Sequence, residues 1–488
     1  MRDGNMPVVR RMRWLWLWLW LLVAWVAASG GQAAPPNIVL ILADDMGYGD
    51  VGVFNATAKV ATPNIDRLAT EGMRFTDAHA AASTCTPSRY GLLTGVNPTQ
   101  TGVRNTLLSR GGPIIGQHEV TLPAVLQRSG FVTRMVGKWH LGFEAAQKGN
   151  RESPDWSAPI RGGPVDRGFD SWFGIPSSLG ASPLCFVEGR SVVEQPTSRI
   201  TYAKRRGGKR VTVGVAASPS CDLATVSPTL CQRAVKTIRD HAAAKEEKPL
   251  FLYYASPLPH QPWVPAASYE GKSGLGAYGD VLMQLDDEVG QIAAALEETG
   301  LADNTLLIFT SDNGPGPEAV RCMKEGGHDA AGGLRGQKSD AWEGGHRVPF
   351  LVHWPGRVVP GAVADSTITF TDVFATLLDI VGVEPGVELA QQLTDSVSFL
   401  PVLEDPARVQ DRRPYVHGWF ALRAGRWKLF SADRRQDAAE VLQGQCALYD
   451  LQDDLAEQCD VSKEQPQVVA RLYDDFQAFA RQRRPKSE

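Results

Sequence analysis

The stretch Asn37-Ile38-Val39-Leu40-Ile41-Leu42-Ala43-Asp44-Asp45 indicates the fold class of this 488-residue chain. Its apolar run, which is partly β-branched, is typical of a strand that is buried on both faces. Similar runs occur at residues 250–255, 305–310 and 348–353. Helical periodicity is found between and around these runs, at residues 64–71, 122–129, 278–299 and 371–381. Strands that alternate with helices predict an α/β fold, with a mainly parallel central sheet sandwiched by helices.

Polar side chains follow two of these predicted strands. Asp44 and Asp45 end the first strand, and Asp312 and Asn313 end the strand that begins at residue 305. Ligands of open α/β sheets bind beyond the carboxyl ends of the strands. Three carboxylates and one amide are a set of oxygen ligands suited to a hard divalent cation. Each motif by itself would more often be an ordinary turn or helix cap, and only the two together favour a metal site.

The pattern changes near residue 400. Short strand-like segments at residues 415–419, 421–430 and 447–451, followed by a helix over 466–481, predict a small antiparallel sheet with one helix. We therefore expect a large α/β domain over residues 34–400 and a smaller C-terminal subdomain over 401–488. Segments rich in Gly, Pro and Ser at 151–220 and 314–346 predict long loops.

The first 33 residues have the layout of a secretory signal peptide. Four arginines precede an apolar run from Trp14 to Ala28, and small residues lead to Ala33. This run is short for a membrane span of about 20 residues, although an N-terminal anchor is the alternative. The expected location is therefore periplasmic or secreted, after passage through the export machinery. The net charge is −4 for the whole chain, and it is more negative without the arginine-rich segment. An acidic chain is a poor candidate for general nucleic-acid binding.

Cys85-Thr86-Pro87-Ser88-Arg89 and the following Tyr90-Gly91-Leu92-Leu93-Thr94-Gly95 are the most informative motif for function. A second motif, Gly137-Lys138-Trp139-His140-Leu141-Gly142, follows another strand-like segment. Together with the acidic pairs, both motifs resemble those of the formylglycine-dependent sulfatase family, which has an alkaline phosphatase-like fold. The resemblance extends over residues 35–450, with the motifs in the family's order.

The resemblance implies an arylsulfatase-type sulfuric ester hydrolase that acts on aryl or carbohydrate sulfates. Cys85 would be converted to formylglycine by a maturation enzyme, and its hydrate would be the nucleophile. One Ca²⁺ would be bound by Asp44, Asp45, residue 85, Asp312 and Asn313. The implied catalytic and substrate-binding residues, besides residue 85, are Arg89, Lys138, His140, His260, Lys338 and, as a weaker match, Ser178. His260 would protonate the leaving group, and His140 would accept a proton when sulfate is released.

Two other functions remain open at this stage. A phosphonate monoester or phosphodiester hydrolase could use the same fold and nucleophile. A sulfated-glycan-binding protein without turnover would result if Cys85 stayed unmodified. The seven cysteines leave six after modification of Cys85, which fits three disulfides in an exported protein. Local pairings between Cys221 and Cys231 and between Cys446 and Cys459 are the simplest expectation. The natural substrate and the oligomeric state are not evident from the sequence.

Overall fold

The structure is a computed structural model that describes residues 35–104, 111–147, 154–206, 209–245, 247–410, 412–418, 421–431 and 446–482. The predicted signal peptide at residues 1–33 lies outside the described residues. Residues Pro36–Glu488 belong to one compact unit, so the division near residue 400 stays a prediction. Within the described part of the chain, no helix combines the length and the apolar character that crossing a bilayer requires.

The described strands are β1 (Asn37–Ala43), β2 (Met73–Phe75), β3 (Ala78–His79), β4 (Val132–Lys138), β5 (Ser171–Ile175), β6 (Val187–Glu188), β7 (Ser191–Val192), β8 (Ser198–Arg206), β9 (Lys209–Ala217), β10 (Leu250–Ala255), β11 (Thr305–Ser311), β12 (Phe350–His353), β13 (Ala362–Ala364), β14 (Ile368–Thr369), β15 (Tyr415–His417), β16 (Ala421–Ala424), β17 (Trp427–Ser431) and β18 (Cys446–Asp450). The described α-helices are α1 (Pro63–Thr70), α2 (Cys85–Thr94), α3 (Pro98–Thr101), α4 (Leu122–Arg128), α5 (Leu223–Ala244), α6 (Ala277–Glu298), α7 (Pro317–Glu325), α8 (Glu343–His346), α9 (Phe370–Val381), α10 (Val387–Gln392), α11 (Leu400–Glu404) and α12 (Pro466–Arg481).

The central sheet has the order β13-β2-β12-β11-β1-β10-β4-β5-β6-β7. Its five middle strands, from β11 to β5, are parallel to one another. Antiparallel neighbours flank this parallel centre on both sides, because β12 pairs with β11 and β6 pairs with β5 in the opposite direction. The prediction of a mainly parallel central sheet is confirmed.

Both faces of the sheet are covered, as the unbroken apolar run of β1 predicts. Alternate side chains of a strand point to opposite faces. Ile38, Leu40 and Leu42 lie in one hydrophobic core, whereas Val39 and Ile41 lie in the other. Helix α2 belongs to the first core and helix α6 to the second. The helical periodicity at residues 278–299 corresponds to α6, whose apolar stripe from Leu282 to Leu296 is buried.

The C-terminal antiparallel sheet is also confirmed, in the order β15-β16-β17-β18. The segment predicted as one strand at residues 421–430 forms two strands, β16 and β17, which pair as a hairpin. Gly425 lies between them with a φ of 57°, a conformation that glycine adopts at little cost. Helix α12 packs on this sheet through Leu472 and Phe476.

The prediction of a long loop at 151–220 is wrong, because this segment contains strand β5 of the central sheet, the short strands β6 and β7, and a long hairpin. β8 and β9 form a hairpin that pairs from Ser198 with Ala217 to Arg206 with Lys209. The many basic residues of this segment obscured its alternation of β-branched and polar residues. Backbone pairing stabilises this ribbon, and only its base is buried. The predicted loop at 314–346 likewise contains the helices α7 and α8.

The predicted disulfides are absent, because Cys221, Cys231, Cys446 and Cys459 are free thiols in the structure. Cys221 precedes helix α5 and Cys231 lies in its third turn. A rise of about 1.5 Å per residue places Cys231 roughly 12 Å along the axis from Leu223, the first residue of the helix. A disulfide requires Cα atoms within about 7 Å, so the helix between the two cysteines carries Cys231 away from this local pairing.

Candidate active site

The polar ends of four adjacent strands meet at one edge of the central sheet. Asp44 and Asp45 follow β1, and Asp312 and Asn313 follow β11. Lys138 is the last residue of β4, and the loop after β10 carries His260. Because β11, β1, β10 and β4 are parallel neighbours, their carboxyl ends place these side chains around one point.

Helix α2 begins at Cys85, and the Cys85 side chain is directed at the cluster of side chains at these strand ends. The Cys85 thiol is fully buried and its Sγ lies 3.5 Å from Asp44 Oδ1 and 3.8 Å from Asp45 Oδ1. Lys338 Nζ lies 3.2 Å from the same sulfur. Burial raises the pKa of the Cys85 thiol well above its usual value, and the negative charge of Asp312 raises it further. An unmodified Cys85 would therefore be a neutral thiol and a poor nucleophile.

Each of the three carboxylates has a different basic side chain as its nearest ionic partner, and Arg89 lies in addition 3.7 Å from Asp44 Oδ1. The pairs are Asp44 with Lys138 at 2.6 Å, Asp45 with Lys338 at 2.5 Å and Asp312 with Arg89 at 2.7 Å. The Asp44, Asp312, Lys138 and Arg89 side chains are completely buried. Buried ions are tolerated only where opposite charges and hydrogen bonds compensate the loss of water. The centre is therefore a balanced cluster of three anions and three cations.

The three carboxylates differ in their proton affinity. Burial acts to raise the pKa of Asp44, but Lys138, His260 and Arg89 outweigh it and hold that pKa far below its usual range. Burial acts in the same way on Asp45, whose pKa is nevertheless lowered by Lys338 and His260. At Asp312, burial prevails over Arg89 and raises the pKa to about 6. Asp312 is thus the carboxyl group at which a bound cation would most change the protonation state.

The oxygen atoms of this cluster suit a metal ion. One ligand atom each from Asp44, Asp45, Cys85 and His260 lies within 4.8 Å of the others. Asp312 Oδ1 accepts a hydrogen bond from the Asp45 backbone N–H at 3.1 Å, which places both acidic segments at the same spot. Asn313 Oδ1 is buried and has no hydrogen-bond partner among the described residues. A buried oxygen without a partner is costly, and a cation at this point would satisfy it.

The backbone is strained where it presents these groups. Asp45 has a φ of 69° and His140 a φ of 58°, and left-handed conformations of non-glycine residues cost about 1–3 kcal/mol. Gly137 has a φ of 118°, and a Cβ there would come within 2.0 Å of the Ala255 carbonyl oxygen. This close approach explains the glycine that precedes Lys138, because β4 and β10 could not pair in this register with a side chain at 137.

The two predicted catalytic histidines lie on the solvent side of the cluster. His140 is buried, and burial together with Lys138 and Arg89 holds its pKa well below the usual value. The His260 side chain is 23% exposed, with Nε2 3.7 Å from Asp45 Oδ2. Its Nδ1 lies 2.6 Å from the Gln261 carbonyl oxygen, so Nδ1 carries a proton and Nε2 faces the cluster. Removal from water lowers the pKa of His260, against the attraction of Asp45 and Asp44.

A cavity of about 560 Å³ leads from the surface to this centre and is lined by Asp45, His140, Ser178, His260 and Lys338. Arg89, Asp312 and Asn313 lie behind these residues and do not line it. All eleven residues predicted from the sequence are thus gathered at or directly behind one cavity. The outer wall of the cavity was not predicted from the sequence; it includes Tyr202 and Lys204 of β8 and Val213 of β9. The alternation of these residues with exposed ones is the sequence pattern that could have predicted the two strands.

The fold and this centre define a hydrolase-like α/β protein with a nucleophile position, a cation cluster and a metal-suited set of oxygens. The family model described as Sulfatase matches residues 36–383. The chain is 33% identical to N-acetylgalactosamine-6-O-sulfatase of Bacteroides thetaiotaomicron, over 91% of this chain and 93% of that protein. It is 36% identical to human arylsulfatase A, over 83% of this chain and 77% of that protein.

A solved structure from work on glycosaminoglycan metabolism by Bacteroides thetaiotaomicron is similar with a TM-score of 0.78 and 32% identity. It covers 91% of this chain and 99% of its own. The chain belongs to the sulfatase family, whose members are sulfuric ester hydrolases. The resemblance inferred from the motifs is confirmed.

Proposed function

We propose that the chain hydrolyses sulfate esters through a formylglycine made from Cys85, with Ca²⁺ bound by Asp44, Asp45, residue 85, Asp312 and Asn313. The observation that supports this most is the position of Cys85 Sγ, 3.5 and 3.8 Å from two carboxylates and 3.2 Å from the Lys338 ammonium. An oxygen in place of this sulfur would complete a set of oxygen ligands for a hard cation.

The hydrated aldehyde would supply the attacking hydroxyl group, and the calcium ion would supply positive charge beside it. Lys138 and Lys338 would then be released from their carboxylates to contact the sulfate oxygens. Arg89 would remain on Asp312 and hold this carboxylate in place. Two ammonium groups beside the sulfate stabilise the negative charge that develops as the ester bond breaks.

The two histidines would divide the proton transfers between them. His260 Nε2 faces the cavity and would donate a proton to the departing alcohol or phenol. His140 would accept a proton in the step that frees sulfate; its lowered pKa keeps it neutral and able to act as a base. Ser178 lies on the cavity wall and would contribute a hydroxyl group to substrate binding.

A sulfated carbohydrate is the substrate class that the outer wall of the cavity favours. Lys204 lines the cavity, and Arg199, Lys209 and Arg210 are exposed on the same hairpin. Basic groups beyond the scissile bond suit a substrate that carries further negative charges. A relative at 33% identity is named for a sulfated N-acetylgalactosamine, and we propose a carbohydrate sulfate for this chain as well. Export, to the periplasm or beyond, and a formylglycine-generating enzyme are further requirements of this proposal.

The activity of a Cys85→Ala variant tests the proposal. We expect loss of hydrolysis of both aryl and carbohydrate sulfates with an unchanged circular dichroism spectrum. Cys322→Ala, which changes a partly exposed thiol away from the centre, is the matched control and should keep full activity. Wild-type rates in purified Cys85→Ala would overturn the mechanism. Faster turnover of an aryl phosphonate monoester than of the matching sulfate would assign the phosphonate activity instead.

A further inference from the structure

The hairpin β8–β9 carries a local excess of positive charge. Between Gln195 and Cys221 the chain has six basic residues and no acidic one, although the whole chain has a net charge of −4. The six are Arg199, Lys204, Arg205, Arg206, Lys209 and Arg210. Two pairs of these residues lie directly opposite each other in the ladder. Like charges in that position destabilise a hairpin, so an anionic ligand would stabilise it.

Strand pairing shows which of the basic residues face the active-site cavity. In an antiparallel ladder, opposite residues share a face, and every second residue of a strand returns to it. Tyr202 and Val213 pair, and both line the cavity. Lys204, which also lines the cavity, pairs with Val211. Lys209 is two residues from Val211, so it belongs to the same face and lies about 7 Å further along the ribbon.

Arg199 and Arg210 belong to the opposite face of the hairpin. Arg210 is next to Lys209 in sequence, and adjacent residues of a strand point to opposite faces. Arg199 Nη2 donates a hydrogen bond to the Gly214 carbonyl oxygen at 3.3 Å, and a Cβ at Gly214 would come within 2.5 Å of Arg199 Nε. The charge of the hairpin is thus divided between a face towards the cavity and a face away from it.

Lys204 is the basic residue of the cavity wall that is left for a ligand. It is half-buried, and it has no ion-pair partner in the part of the chain that the structure describes. The other charged groups of the wall are compensated, because Lys338 lies 2.5 Å from Asp45 and Glu318 accepts a hydrogen bond from Arg321 Nε at 3.0 Å. An anionic group in the outer cavity would therefore be attracted to the Lys204 ammonium group.

The size of the cavity limits how much of a carbohydrate chain it can hold. Its volume of about 560 Å³ is that of a site for a small molecule. A longer carbohydrate would therefore extend out of the cavity. Lys209 is exposed and lies beyond Lys204 on the cavity side of the hairpin. A chain that leaves the cavity along this wall passes Lys204 first and Lys209 second.

We propose that Lys204 and Lys209 bind an anionic group on a second sugar of the substrate, and that they thereby select carbohydrate chains with several charges over singly sulfated sugars. The inference rests on the proposed hydrolysis of carbohydrate sulfates and names residues that determine its specificity. The second anionic group is a sulfate or a carboxylate, since both accept charge-assisted hydrogen bonds from an ammonium group.

Competition against the hydrolysis of 4-nitrophenyl sulfate measures how tightly carbohydrates bind at the active site. The competitors are N-acetylgalactosamine 6-sulfate and a tetrasaccharide in which this sugar alternates with a uronic acid. We expect the wild type to bind the tetrasaccharide at least about tenfold more tightly. Lys204→Ala should weaken binding of the tetrasaccharide about tenfold and that of the single sugar less than about twofold. Lys209→Ala, at an exposed position, should weaken the tetrasaccharide about two- to fivefold.

Arg210→Ala is the matched control variant. It removes the same charge from the same hairpin, but on the face directed away from the cavity, so the preference for the tetrasaccharide should remain. A tetrasaccharide whose carboxylates are reduced to alcohols identifies the second anionic group. A retained preference would assign a sulfate, and a lost preference would assign a carboxylate.

Equal losses in Lys204→Ala and Arg210→Ala would indicate general electrostatic attraction and overturn the assigned contacts. Equal inhibition of the wild type by the two carbohydrates would overturn them as well. Calorimetric titration of the tetrasaccharide into Cys85→Ala, with and without Lys204→Ala, decides the question without turnover. An affinity that Lys204→Ala leaves unchanged would contradict the proposal. A wild type without sulfatase activity, in which the calorimetric difference persists, would refute the proposed function and leave this contact intact.

Discussion

His260→Ala should slow the hydrolysis of substrates with poor leaving groups far more than that of activated ones. His260 Nε2 lies 3.7 Å from Asp45 Oδ2, and the side chain is 23% exposed at the cavity wall. It can therefore reach the oxygen of a leaving group and is only partly screened by water. A positioned proton donor contributes about 10²–10⁴-fold, which corresponds to about 2.7–5.5 kcal/mol of activation free energy. We expect a loss of this size in kcat/KM for an alkyl or carbohydrate sulfate. 4-Nitrophenyl sulfate needs little protonation and should lose less than about tenfold.

The pH profile provides a second readout of the same residue. A general acid must carry its proton, and removal from water lowers the pKa of His260 below its usual value of 6.5. For the poor leaving group, kcat/KM should therefore decline as the pH rises through this lowered pKa, and the decline should be missing in His260→Ala. His118→Ala, at an exposed site, is the control. Equal losses for aryl and alkyl sulfates, with an unchanged pH profile, would refute the assigned role.

Three further predictions concern proton transfer, metal binding and stability. His140→Ala should accumulate a sulfate adduct on the peptide that contains residue 85, visible by mass spectrometry after quenching, because its step follows cleavage of the ester; no adduct at any time point would contradict this order. Asn313→Leu should remove the orphaned amide oxygen and weaken Ca²⁺ binding at least about tenfold in calorimetry, and unchanged affinity would exclude Asn313 as a ligand. Burial raises the pKa of the Glu288 carboxyl group above its usual 4.5, so the folded state binds this proton more tightly than the unfolded state does. The protonated carboxyl group therefore stabilises the fold fully below pH 4.5, and this stabilisation is lost as the pH rises through the raised pKa. Denaturant titrations of Glu288→Gln should show a smaller loss of stability between pH 4 and pH 8 than the wild type, and parallel pH profiles would count against a buried protonated Glu288.

The central part of the fold could be predicted because local pattern and tertiary environment agree there. The run from Ile38 to Ala43 reads as a doubly buried strand, and it lies in the middle of the parallel sheet. The bounds of α12 were also predicted correctly, since Pro466 begins a strongly amphipathic segment. Hairpin β8–β9 was missed because its stability comes from backbone pairing between two segments with few buried side chains.

The residues of the site were found through motif resemblance, and their convergence follows from topology. Asp44 and Asp312 are far apart in sequence, but parallel neighbours bring their strand ends together. The pairing of each carboxylate with one particular cation was not predictable, because it depends on side-chain geometry in the folded core. The proximity of Lys204 to the cavity was not predictable either, because it also depends on the folded structure.

Mass spectrometry of the tryptic peptide that contains Cys85 tests the central claim most directly. Conversion of cysteine to formylglycine lowers the peptide mass by about 18 Da, and the aldehyde reacts with a hydrazide reagent, which a thiol does not. Preparations with graded activity should be compared, for example from expression with and without a formylglycine-generating enzyme. The proposed mechanism predicts that sulfatase activity is proportional to the fraction of peptide carrying the aldehyde. Full activity in a preparation whose Cys85 peptide has the unmodified cysteine mass would contradict it.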